Sequence, residues 1–201
     1  MNNSNYEGFT DIFPTRIHKF KIDQNLIDKS LIGVNTRSSG FNYTNILNNP
    51  NFLNLQEQIL KSAQSIFPDI KDIEKWKIVT SWLNNQAPKE KGFDFHNHID
   101  SFISSVLYLK GSNMSLSFRD DPKEAQGYTS SANFDIIIRH NWNVDVNIPV
   151  SVGDLLFFPS YLLHKPNINQ TNLNRISVSC NLMPSILNRP HSQPWSMDLK
   201  L

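Results

Sequence analysis

Apolar residues recur along this chain with two different periods, and the change between them divides it. Near the start, residues 12–22 alternate apolar and polar side chains after a proline, the pattern of a half-buried strand. Asn48-Asn49-Pro50 then offers a helix start. Phe52, Leu55, Ile59, Ala63 and Ile66 follow at helical spacing until Phe67-Pro68 ends the run, and this helix is expected to pack on the main domain. From Trp76 onward the runs become short and β-like, at 78–83, 93–98, 102–110, 115–118, 134–139, 144–148, 154–158 and 175–182. Turn-rich pieces such as Asp120-Asp121-Pro122 and 167–174 lie between them. About eight short strands without interleaved helices predict a mainly β protein, an antiparallel sandwich or jelly roll, and not a parallel α/β sheet.

Length and composition bound the answer further. The 201 residues can bury a substantial core, and with no repeat, charge block or Gly/Ser linker they predict one domain over 1–201. Within it, 1–75 reads as a strand and helix lead-in, 76–183 as the β core and 184–201 as a tail. Hydrophobic residues at 39% and charged residues at 18% exclude a disordered tail and a membrane protein. Nineteen Lys and Arg against 18 Asp and Glu leave no basic excess, which argues against a nucleic-acid partner. A single cysteine, Cys180, cannot form an internal disulfide and points to a reducing compartment. No run approaches the ~18 apolar residues of a membrane span. The polar Met1 to Asn5 stretch shows no secretory signal, so a cytoplasmic location is expected.

Three pieces carry candidate chemistry. Of the six histidines (His18, His96, His98, His140, His164 and His191), two fall in Phe95-His96-Asn97-His98-Ile99-Asp100. On a strand end, His96, His98 and Asp100 would share a face. Two imidazoles and a carboxylate suit a divalent first-row metal; the plainer reading is an exposed polar strand end. The second piece is Val152-Gly153-Asp154, a turn, then the apolar run Leu155 to Phe158, then Pro159-Ser160 and on to His164. The third is Arg175 to Asn181, with Arg175, Ser177 and Ser179 on one face and Ile176, Val178 and Cys180 on the other. That polar face is either solvent-exposed or the wall of a pocket in which Arg175 forks onto a carboxylate and Ser177 adds a hydroxyl donor.

In order and spacing, these pieces resemble the Fe(II)- and 2-oxoglutarate-dependent oxygenases, whose double-stranded β-helix holds iron with two histidines and a carboxylate. The resemblance runs from about Trp82 to Asn181 and is closest to a branch found in bacteria and phages. That branch looks like W-x-N, then H-x-H-x-x-S-x-x-S-G-V-Y-Y-L, G-D-L-x-x-F-P-S-x-L-x-H and R-x-S-x-x-x-N. The matching stretches are Trp82-Leu83-Asn84, His96 to Ser101 with Ser104 to Leu109, Gly153 to His164, and Arg175 to Asn181; Phe13-Pro14-Thr15 fits the opening strand.

The resemblance implies Fe(II) as cofactor and 2-oxoglutarate as cosubstrate, with O2 consumed, succinate and CO2 released, and a substrate hydroxylated. It implies His98 and Asp100 as proximal metal ligands and His164 as the distal one. Arg175 would bind the far carboxylate of 2-oxoglutarate, with Ser177 and Tyr108. In the branch H-x-H recurs, whereas the position of Asp100 is not dependably acidic, so a three-histidine site of His96, His98 and His164, as in many cupins, stays open beside it. Trp82, Phe95, Phe157 and Phe158 are candidates to line the pocket. Two other classes remain: a cupin-like metal-binding module without turnover, for which Arg175 has no purpose, and a phage structural β-sandwich, which needs no metal. Substrate choice is expected to lie with loops 87–94 and 119–133 and the tail. Their mixed composition favours neither a small molecule nor a protein substrate, and the oligomeric state is not encoded legibly.

Overall fold

The computed structural model describes residues 15–32, 34, 40–42, 45–67, 76–98, 100–119 and 145–184. The strand expected at 134–139, most of loop 119–133, nearly all of the tail, His140, His191 and the opening of the 12–22 strand lie outside the described residues.

In chain order the elements are β1 (His18–Lys21), α1 (Gln24–Ser30), β2 (Gly40–Asn42), two short 3-10 turns (Ile46–Asn48 and Pro50–Phe52) and α2 (Leu53–Ile66). They continue with β3 (Trp76–Gln86), β4 (Ile103–Lys110), β5 (Met114–Arg119), β6 (Val146–Val150), β7 (Asp154–Pro159), β8 (Leu163–Pro166) and β9 (Arg175–Pro184). The strands form a six-stranded sheet in the order β1-β7-β4-β9-β3-β2 and a three-stranded sheet in the order β6-β5-β8. Every pairing is antiparallel. This is the mainly β jelly-roll architecture that the short runs predict, in the double-stranded β-helix form that the family resemblance implies.

Strand alternation decides which side chains go where. On one face of the large sheet, Leu107, Leu155, Phe157, Ile176, Val178, Cys180 and Leu182 join Leu55, Ile59 and Ala63 of α2 in one apolar core. Full burial of an aliphatic or aromatic side chain of this size stabilises by about 1.5–3 kcal/mol, which explains why α2 stays on the sheet. The opposite face of the same strands turns Val106, Tyr108, Leu156 and Phe158 toward Met114, Leu116 and Phe118 of the small sheet. Phe157 therefore fills the helix-side core and only Phe158 faces the site.

Helix α2 begins after Pro50, where the Asn49 side chain accepts from the Asn51 amide, and ends at Phe67 as its spacing predicts. Two elements have no counterpart in the hydrophobic pattern. Helix α1 is seven residues long and buries only Ile27 and Ser30, too few positions to define a period. Strand β2 has three residues. Gly153 turns the chain into β7 at φ 88°, and an added Cβ would meet the Ile22 carbonyl at 3.0 Å. Its amide donates to the Tyr108 carbonyl at 2.8 Å, tying this turn to β4. No helix among the described residues is long and apolar enough to cross a membrane.

Candidate active site

The 93–98 segment is not a strand as its pattern suggests; only His96 pairs, in an isolated antiparallel bridge with His164. Both backbone bonds of that bridge form, His96 N–H to the His164 carbonyl at 3.1 Å and the reverse at 2.9 Å. A doubly bonded antiparallel pair places two residues directly opposite one another, so a local contact brings together histidines far apart in sequence. The His98 amide donates to the Ser160 carbonyl at 2.8 Å, seating the third imidazole against the β7–β8 turn. The ring centroids lie 4.5 Å apart for His96 and His164, 5.2 Å for His98 and His164, and 5.2 Å for His96 and His98. One nitrogen from each of the three lies within 4.8 Å of the others.

Asp100 stands in an exposed turn outside this group. The alternation that would align it with His96 and His98 requires a strand, and the backbone here is not one.

The imidazoles are prepared as neutral donors. Nδ1 of His96 lies 2.8 Å from the Asp94 carbonyl and Nδ1 of His164 lies 2.9 Å from the Leu162 carbonyl. A carbonyl only accepts, so Nδ1 carries the proton in each and Nε2 keeps its lone pair, the arrangement found around metal-ligating histidines. Burial pushes His98 down to about 4, assisted by nearby His96. Burial likewise pushes His164 down to about 3, against the Leu162 carbonyl bond that favours its proton. Trp82 lies 5.4 Å from the His98 ring and Phe158 4.6 Å from the His164 ring, restricting both. Phe95 does not line the site. Its ring sits between the Arg119 guanidinium at 4.0 Å and the Lys165 ammonium at 4.3 Å, fastening the His96 segment to the small sheet.

The histidines open into a cavity of about 610 Å³, within the range of small-molecule sites. Its floor is the polar face of β9, where Arg175, Ser177, Ser179 and Asn181 all border the void while the alternate residues are core. Of the two readings of that face, the structure shows the pocket wall. Tyr108 stands directly opposite Ser177 on β4, and burial raises its phenol well above the usual value. Arg175 is 4% exposed, and burial lowers its guanidinium from the ordinary value. Its Nη2 donates to Gln86 Oε1 and, at 2.7 Å, to the Asn167 carbonyl. No described carboxylate forms an ion pair with it. The carboxylate of Glu90, which also borders the cavity, accepts from the Ala87 amide instead.

Gln86 and Asn167, which hold the Arg175 guanidinium, are residues that the hydrophobic pattern missed. Continuing the alternation of Trp82 and Asn84 by two more residues reaches Gln86; nothing in the sequence singles out Asn167. Gly92 of the 87–94 loop also borders the cavity, and an added Cβ would meet Pro166 Cγ at 2.6 Å and its carbonyl at 2.9 Å, so only glycine lets the loop rest on β8.

A family model described as "Putative 2OG-Fe(II) oxygenase" matches residues 80–181, half of the chain and the part that carries all three histidines and Arg175. No curated protein matches it in sequence. Among solved structures, the non-heme alpha-ketoglutarate-dependent carbocyclase SnoK of nogalamycin biosynthesis superposes with a TM-score of 0.61 at 12% identity, over 85% of this chain and 80% of its own. EctD from S. alaskensis, solved with 2-oxoglutarate and 5-hydroxyectoine, gives 0.60 at 14% identity, over 90% of this chain and 79% of its own. HygX from Streptomyces hygroscopicus, with nickel and 2-oxoglutarate bound, gives 0.57 at 8% identity, over 85% and 83%. At these identities the structures establish a shared fold, and the family model establishes descent: the chain belongs to the 2OG-Fe(II) oxygenase family.

Proposed function

We propose that this protein is a non-haem Fe(II)- and 2-oxoglutarate-dependent dioxygenase that holds its metal through His96, His98 and His164 and its cosubstrate through Arg175. One observation carries this reading: a buried guanidinium with no ion-pair partner among the described residues shares a cavity with three imidazoles that offer bare nitrogens. Leaving a buried charge unpaired costs several kcal/mol, a cost that an incoming carboxylate removes.

Two more donors back the guanidinium. Among the described residues, neither the Tyr108 hydroxyl nor the Ser177 hydroxyl has a hydrogen-bond partner, and both residues border the cavity. Arg175, Tyr108 and Ser177 thus form a three-point cradle for the distal carboxylate of 2-oxoglutarate. Neutral imidazole is the form that ligates a divalent first-row ion, and imidazole suits iron. When bound, Fe(II) with 2-oxoglutarate supplies O2 activation, in which the cosubstrate leaves as succinate and CO2 and one oxygen atom enters a substrate C–H bond. The chain's own contribution is placement. Val106, Leu116 and Phe158 keep one wall dry, the histidine set fixes the metal, and Arg175 sets the cosubstrate's reach. Asp100 is not needed for this site.

Anaerobic titration of metal-stripped protein with Fe(II) and then 2-oxoglutarate is expected to produce a visible metal-to-ligand charge-transfer band. His164→Ala should abolish metal binding, whereas Arg175→Ala should retain the metal and weaken 2-oxoglutarate by on the order of 100-fold. Iron uptake without the band would favour a metal-binding module without turnover, and no uptake at all would overturn the assignment.

A further inference from the structure

We propose that Gln86 is a positioning residue for the anion site: its amide aims the Arg175 guanidinium into the cavity and, being neutral, does so without quenching the charge. The inference rests on the reading of Arg175 given above and deepens it.

Gln86 and Arg175 are a directly opposed pair where β3 meets β9. The amide's orientation is fixed from behind, because Gln86 Nε2 donates to the Glu90 carbonyl at 2.6 Å and, more distantly, to the Asn167 carbonyl. With its NH2 group committed to carbonyls, the oxygen must face the guanidinium, and there it accepts from Nη2. The Asn167 carbonyl takes Nη2's second hydrogen. One terminal nitrogen is thereby saturated, and the donors on Nη1 and Nε have no partner among the described residues. They are the donors left for a ligand. The Asn169 side chain locks the base of this assembly by donating to the Gln86 carbonyl at 3.1 Å, the Ala87 carbonyl at 3.1 Å and the Leu173 carbonyl at 2.7 Å.

The choice of an amide over a carboxylate is what matters. Glutamate has nearly the same shape and would also accept from Nη2, but it would form a buried ion pair. The cavity would then offer an incoming carboxylate a neutral pair in place of a free cation.

This separates the proposal from a purely structural role for Gln86. If the residue only held the fold, Gln86→Glu would be tolerated or stabilising, since it strengthens the contact with Arg175. If it tunes the anion site, Gln86→Glu should keep or raise Tm and leave the affinity for Ni(II) unchanged while weakening 2-oxoglutarate roughly 10- to 100-fold. Gln86→Met, neutral and similar in length, should weaken 2-oxoglutarate less than Gln86→Glu does. The measurement is calorimetric titration of the anaerobic Ni(II) protein with 2-oxoglutarate for wild type and both variants, with Tm recorded alongside. Equal 2-oxoglutarate affinity in wild type and Gln86→Glu overturns the proposal but not the oxygenase reading. Greater loss in Gln86→Met than in Gln86→Glu also overturns it. Failure of the wild-type protein to bind 2-oxoglutarate overturns both.

Discussion

Asp154 opens β7 with its carboxylate buried beneath two lysines, Lys19 at 2.7 Å and Lys21 at 2.9 Å, while the Ser151 amide also donates to it at 2.9 Å. Burial alone would push this carboxyl up, but the lysine hydrogen bonds outweigh it and hold it at about 2. The folded-state value lies below the unfolded one, so the stabilisation is present above about pH 4 and is lost as pH falls through about 2. Asp154→Asn is expected to cost about 1 kcal/mol near neutral pH, because the two lysines are largely solvated and screen the pair. Urea denaturation of both proteins across pH 6 to 2 tests this, and a gap between them that does not shrink toward pH 2 would refute the assignment. The same logic with the same sign applies to His98 and His164, over the range below their ordinary imidazole values. Both are bases held below their ordinary range, so acid favours the unfolded chain, which takes up protons that the folded imidazoles refuse.

At the scale of elements, the large sheet separates stability from chemistry. Helix α2 contacts only the face that bears Leu107, Leu155 and Val178, while the histidines and Arg175 stand on the other side. Ile59→Ala, at a position 1% exposed, should therefore cost about 2–5 kcal/mol through the cavity it leaves, with metal affinity unchanged. Urea midpoints and a Ni(II) titration on the same sample check both halves. A matching loss of metal affinity would mean that the sheet transmits strain from one face to the other. Strand β9 reads clearly in sequence because it is central, paired with β3 and β4 on its two edges, so its alternation is enforced along its length. The 93–98 segment does not, because only one of its residues is bridged and the rest follow the loop.

Across the whole molecule, Asn167 joins the small sheet to Arg175. Its side chain accepts from the Ser117 hydroxyl at 2.7 Å and donates to Ser115 on β5 and Asn147 on β6, while its backbone carbonyl holds Arg175. Asn167→Ala removes the bonds to Ser115, Ser117 and Asn147, of which only Ser117 is buried, and should cost about 1 kcal/mol of stability. Because the carbonyl loses its anchor, 2-oxoglutarate should weaken in the same variant. Denaturation and cosubstrate titration read the two effects together, and a stability loss with unaltered 2-oxoglutarate affinity would show that the sheets are joined but not coupled.

The sequence by itself determined the β class, the course of α2 and the two faces of β9, because period and residue type are properties of the chain alone; His98, His164 and Arg175 it offered as candidates through a family resemblance. Only the tertiary structure decided that the polar face of β9 lines a cavity, since alternation says that two faces differ and not what each one meets. It also decided that His96 stands with His98 and His164 while Asp100 faces solvent, because a backbone bridge between residues 96 and 164 leaves no trace in local pattern. Gln86 and Asn167 are the clearest cases. Their roles exist only once β3, β8 and β9 converge, and the charge that gives those roles meaning is the guanidinium that folding buries between them, with no ion-pair partner among the described residues.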